Sequence, residues 1–161
     1  MLPVGPEVAV WDLVAGPEHE RLAVLVGRWK THGWTREAPG EPAARIDATD
    51  TYEWLPGRFA LLHRVDARVG GQKVEGAEIL GYDPESRAYV TQYFGSDDPN
   101  AYEARFVEDN RALMWTMQSE RDRFTGTFND ERDVITGHWD TFDDDSTWQP
   151  WMGITLTRQA R

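Results

Sequence analysis

One imidazole and two carboxylates are the side chains of this sequence best placed to do chemistry. His63 lies in the segment 58–69, where Phe59, Leu61, His63, Val65, Ala67 and Val69 alternate with Arg58, Arg64, Asp66 and Arg68. A period of two marks a strand with one buried face, so the apolar set carries His63 into the interior. An inward imidazole becomes useful when a carboxylate stands beside it. The carboxylate fixes the tautomer and raises the basicity of the ring, while desolvation opposes the charged form. A ring held in that way can donate a proton to a bound molecule or abstract one from it.

The turn signals on either side supply the partners. Taken as a two-residue turn, Pro56-Gly57 sets Phe59 opposite Trp54, Leu61 opposite Tyr52 and His63 opposite Asp50. Gly70-Gly71, read the same way, sets Leu61 opposite Leu80 and His63 opposite Glu78. A loop over 83–86 then brings Glu78 to Thr91, Leu80 to Tyr89 and Gly76 to Tyr93. Four strands thereby place Asp50, His63, Glu78 and Thr91 in one interior row, with opposed Cβ atoms about 4.5–5.5 Å apart. In the catalytic reading His63 is the general acid/base and Asp50 or Glu78 orients it. Each buried charge costs several kcal/mol unless paired, so the row either satisfies itself as a structural network or serves a bound molecule. A metal site built on the same three residues has only one imidazole to offer and is disfavoured.

The same arithmetic puts Tyr52, Trp54, Leu61, Tyr89, Thr91 and Tyr93 on the inner wall. Trp115 and Met117 share a face of a later strand, and Trp148, Met152, Ile154 and Leu156 share one on the last. Trp139 and Trp151 occupy the alternative faces, and past residue 96 the inward face stays open. The expected ligand wall takes Trp115, Met117 and Trp151 from this region. Aromatic walls with a few hydroxyls suit a flat or hydrophobic molecule with one or two polar groups.

The elements that must position these residues are strands throughout. Strand-like runs occur near 27–36, 43–55, 58–69, 72–82, 87–95, 100–108, 111–119, 121–129, 132–142 and 146–159, separated by turns such as Pro39-Gly40, Ser96-Asp97-Asp98-Pro99 and Asp109-Asn110. Ten consecutive antiparallel strands with short turns predict an up-and-down β-barrel, whose closure removes exposed edges and whose girth leaves a cavity. Residues 1–16 read as an N-terminal arm and 17–161 as the barrel domain. Pro17-Glu18-His19-Glu20 opens a short helix with Leu22, Leu25 and Val26 on its apolar side.

Composition narrows the function classes. The 161 residues carry 17 Lys and Arg against 28 Asp and Glu, a net charge of −11 that opposes nucleic acid and anionic lipid as partners. With no cysteine there is no thiol chemistry and no thiolate metal site. No apolar run of about 18 residues offers a membrane span. The N-terminus lacks the basic start and apolar core of a signal peptide, so a cytoplasmic protein is expected. Homodimer formation stays open. The eight Trp, five Tyr and six Phe are many for so acidic a chain, and they favour both strands and pockets.

Gly27-Arg28-Trp29 on the first strand resembles the Gly-x-Trp signature of lipocalins and their calycin relatives. In those proteins the Trp closes one barrel end and packs on a basic residue of the last strand, a position matched by Arg158 in Leu156-Thr157-Arg158. The series that runs from there through Gly81-Tyr82-Asp83-Pro84 and Arg123-Phe124-Thr125-Gly126-Thr127-Phe128 to Trp148-Gln149-Pro150-Trp151 is similar to a bacterial lipocalin-like domain family of unknown function over roughly residues 20–160. Nitrobindins, ten-stranded haem barrels, resemble the chain more distantly. Their iron-holding His on the final strand, in a Gln-Pro-His context, is replaced here by Trp151, and an indole has no lone pair for iron. No cofactor is therefore expected. The function expected is binding of a small hydrophobic or aromatic molecule inside the barrel. The alternative is an isomerase, cyclase or hydrolase using His63 in the same cavity, and a less favoured third reading is a nitrobindin-like haem protein with His63 or His138 as the iron ligand.

Overall fold

The computed structural model describes residues 14–97 and 99–160. Its ten strands are β1 (Gly27–Thr35), β2 (Arg45–Trp54), β3 (Ala60–Val69), β4 (Gln72–Asp83), β5 (Ala88–Gly95), β6 (Asn100–Asp109), β7 (Ala112–Gln118), β8 (Asp122–Phe128), β9 (Val134–Phe142) and β10 (Trp148–Arg158). Consecutive strands pair antiparallel and β1 pairs with β10, which closes a lipocalin-like barrel. The arm expected over 1–16 falls, apart from residues 14–16, outside the described residues. Among those described, no helix is long and apolar enough to cross a membrane.

One end of the barrel is plugged. The helix α1 (Pro17–Arg21) runs into a 3₁₀ turn over Leu22–Leu25, and both of those leucines are fully buried. Trp29 is fully buried beneath the turn and donates its indole N–H to the Leu25 carbonyl at 2.8 Å. The Arg158 guanidinium lies 4.2 Å from the indole ring centre and donates to the carbonyls of Val24 (2.6 Å), Arg132 (3.1 Å) and Val26. A cation over an indole face is stabilised by about 0.5–2 kcal/mol. The glycine of the Gly-x-Trp pair is needed on two counts. Gly27 sits at φ 136°, where side chains are strained, and a Cβ there would lie 2.9 Å from Arg158 Nη1. Tyr89 fastens the helix to the barrel by donating its hydroxyl to the Glu18 carbonyl at 2.6 Å.

The strand registers correct two of the three expected hairpins. Gly70-Gly71 forms the two-residue turn expected, with φ of 59° and 83° and with His63 opposite Glu78. The β2–β3 connection is a four-residue loop over 56–59 and not a two-residue turn, so Tyr52, rather than Asp50, stands opposite His63, and Trp54 opposite Leu61. The β4–β5 loop lies over 84–87, one residue later than expected, which sets Glu78 opposite Tyr93 and Leu80 opposite Thr91. Both loops contain an arginine at positive φ, Arg58 at 58° and Arg87 at 54°. Each correction moves the pairing by two positions, so every side chain keeps its face.

Candidate functional site

Away from the plug the interior opens into a cavity of ≈ 240 Å³. It lies toward the end that carries the β3–β4 and β5–β6 turns, and Trp151, 42% exposed, stands at its mouth. Asp50, Tyr52, His63, Glu78, Tyr93, Trp115, Met117 and Trp151 line it. Trp54, Leu61, Tyr89 and Thr91, expected on the same wall, do not. Leu61 and Tyr89 belong to the packed core, with Trp54 against it. Thr91, set opposite Leu80, is buried with its hydroxyl unpartnered.

The polar floor of the cavity is built by β1 to β4. His63 Nε2 lies 2.7 Å from Asp50 Oδ1, and Nδ1 lies 3.1 Å from Glu78 Oε1. Thr31 on β1 donates its hydroxyl to Asp50 Oδ2 at 2.5 Å. Tyr52 stacks flat on the imidazole, with ring centres 4.0 Å apart and planes within 5°. Burial opposes the imidazolium, but the hydrogen bonds and charges of Asp50 and Glu78 outweigh it and hold the His63 pKa at about 9. At neutral pH the ring therefore donates both N–H groups to carboxylates and keeps no nitrogen for a bound molecule. A proton passing between this cluster and a ligand has to travel by way of a carboxylate oxygen. Oε1 of Glu78 accepts from His63, while Oε2 receives no hydrogen bond from any described residue.

The opposite wall is aromatic. Trp139 packs against Tyr102 and Phe124 with ring centres 5.6 and 5.2 Å apart, and Trp115 and Met117 lie beside them. Burial pushes the hydroxyl pKa values of Tyr52 and Tyr102 above the ordinary tyrosine range, with neighbouring carboxylates adding to it, so both remain neutral donors. Tyr93 donates to Asp97 Oδ1 at 2.8 Å. Its ring lies so close to Gly76 and Gly95 that a Cβ on either would come within 2.3 and 2.2 Å of the hydroxyl oxygen. These two glycines give the tyrosine its place at the rim.

Thr31, Asp97, Tyr102, Phe124 and Trp139 also line the cavity and were not among the expected site residues. Alternation offered a signal for two of them, since Thr31 follows Trp29 on its face and Tyr102 precedes Ala104 and Phe106 on another. On the last strand the alternation itself breaks. The β9–β10 register shifts between Pro150 and Met152, leaving Trp151 as the extra residue of a β-bulge. Trp151 and Met152 therefore both reach the cavity, whereas Trp148 packs outside against Phe142 and Arg123. His138 lies outside the cavity lining, more than half exposed and 3.7 Å from Asp140.

A family model described as a protein of unknown function, DUF1579, matches residues 14–158. The chain belongs to this family. No curated protein matches the DUF1579 chain. Solved structures show its fold elsewhere. The barrel is similar to Rv2717c from M. tuberculosis, with a TM-score of 0.69 at 11% identity over 92% of this chain and 100% of that one. It is also similar to the S-type phycobiliprotein lyase CPES from Guillardia theta, with a TM-score of 0.59 at 8% identity over 89% and 93% of the two chains. At such identities the DUF1579 barrel shares a fold with these proteins.

Proposed function

We propose that this DUF1579 barrel binds a small hydrophobic or aromatic molecule in its cavity, with Asp50, His63 and Glu78 as the polar floor and Trp115, Met117 and Trp151 on the wall. The observation that carries the reading is one apolar, aromatic-walled cavity of ≈ 240 Å³ with a single ordered ionic cluster at its base. An apolar cavity of about 150 Å³ already takes up benzene, so this one has room for a one- or two-ring body. Sites of this kind bind through apolar contact and take their specificity from a few polar groups. Fold kinship with a phycobiliprotein lyase fits such a use of a barrel. The net charge of −11 sets nucleic acid and anionic membranes apart as partners, and the protein works in the cytoplasm on this reading.

Native mass spectrometry of freshly purified protein, with an absorbance scan of the same sample, tests the proposal. A co-purifying organic mass that leaves on mild activation, or saturable uptake of a naphthalene-sized probe by the empty protein, is expected. Probe binding that survives replacement of Trp139 by a charged residue in a folded variant would place the molecule outside the barrel and refute the reading. A Soret band would point instead to haem.

A further inference from the structure

The charges around the cavity are one-sided. Asp50, Glu78 and Asp97 line it against the single imidazole of His63, and no lysine or arginine does so among the described residues. Within the floor, two carboxylates and one imidazolium leave a net charge of −1. The hydrogen bonds are uneven as well. Both oxygens of Asp50 are engaged, by His63 and Thr31, whereas Oε2 of Glu78, a residue that lines the cavity, accepts from no described residue. A carboxylate oxygen left free on an apolar, aromatic wall favours a guest that brings it a donor or a positive charge. The rest of the chamber favours the same kind of guest. The faces of Tyr102, Trp115, Trp139 and Trp151 are π-surfaces, which attract a cation more strongly once it is desolvated.

Given the binding function proposed above, on which this step rests, we infer that the ligand is an organic cation: a small apolar or aromatic body bearing a protonated amine. The ammonium group donates to Glu78 Oε2, and the body lies along the Tyr102–Trp139 wall. Asp97 at the rim adds negative charge where a cation enters. An anionic ligand of the same shape would bring its carboxylate to the two buried ones with no basic side chain to receive it, and that juxtaposition is repulsive.

Three probes with one body and different heads test this: 2-naphthylmethylamine, 2-naphthylmethanol and 2-naphthoate, titrated calorimetrically into the full chain at pH 7. The amine is expected to bind at least about tenfold tighter than the alcohol, and the alcohol tighter than the naphthoate. In Glu78→Gln the ratio of amine to alcohol affinity is expected to fall to within about threefold. Equal affinities, or a preference for the naphthoate, would overturn the cation inference while leaving cavity binding in place. Binding of none of the three at millimolar concentration would overturn the binding function itself, and this inference with it. The wild-type order decides the matter alone if Glu78→Gln fails to fold.

Discussion

The interior imidazolium makes the stability of the barrel depend on pH in a calculable way. Glu78 on β4, directly opposite, and Asp50 on β2, diagonally placed, hydrogen-bond to His63, Tyr52 covers its ring, and Thr31 on β1 fixes the far oxygen of Asp50. Together they raise the pKa against the pull of burial, from 6.5 to about 9. At about 1.4 kcal/mol per pH unit, that rise corresponds to about 3 kcal/mol of folding free energy. The sign follows from proton binding. Below pH 6.5 the folded and unfolded chains both hold the proton and the contribution is complete. Between pH 6.5 and about 9 only the folded chain holds it, so stability falls as pH rises, and above about 9 the contribution is gone. Urea denaturation of wild type at half-unit steps from pH 6 to pH 10 measures the decline, and histidine NMR over the same range gives the His63 pKa directly. A His63 resonance that titrates at or below 6.5, or stability that does not fall across this window, would refute the reasoning.

Three further outcomes are expected. Replacing Arg158 with Met strips donors from the Val24, Val26 and Arg132 carbonyls and uncovers Trp29. It should cost about 3 kcal/mol, read as a fall of about 10 °C in Tm by calorimetry. Thr91→Val exchanges an unpartnered buried hydroxyl for a methyl group and should gain about 1 kcal/mol, shifting the urea midpoint upward. Gly76→Ala drives a Cβ into Tyr93 and should lose about 1–3 kcal/mol, whereas Gly153→Ala, with nothing within 4 Å of the added atom, should stay within about 0.5 kcal/mol of wild type in the same assay.

Much of this architecture is legible in the sequence because it depends on parity. Alternation sends His63, Glu78 and Asp50 inward whatever the loops do, and an error of two positions in a hairpin preserves it. Register depends on loop geometry, which residue type discloses less well. Gly70-Gly71 announces its turn because glycine accepts positive φ without strain. Arg58 and Arg87 adopt positive φ as well, and nothing about an arginine signals it. For that reason a two-residue turn at Pro56-Gly57 predicts Tyr52 opposite Leu61 and Asp50 opposite His63, whereas Tyr52 stacks on His63 and Asp50 reaches it diagonally. Alternation places Thr91, Tyr89, Leu61 and Trp54 on the inward face but does not disclose depth along the barrel, which the helical plug sets. The bulge at Trp151 likewise depends on the loss of pairing around Pro150, and it turns two adjacent residues toward one space.

The helix and Trp29 seal one end, and this has a kinetic meaning. Among the described residues, the way between the cavity and solvent runs past Trp151 and Asp97, so for the ligand proposed above arrival and departure share one path. Residence time then reflects passage over that one rim. Substitutions at Trp151 should therefore change the rates of loading and unloading together, and leave the affinity ratio between two ligands largely where the floor and walls set it.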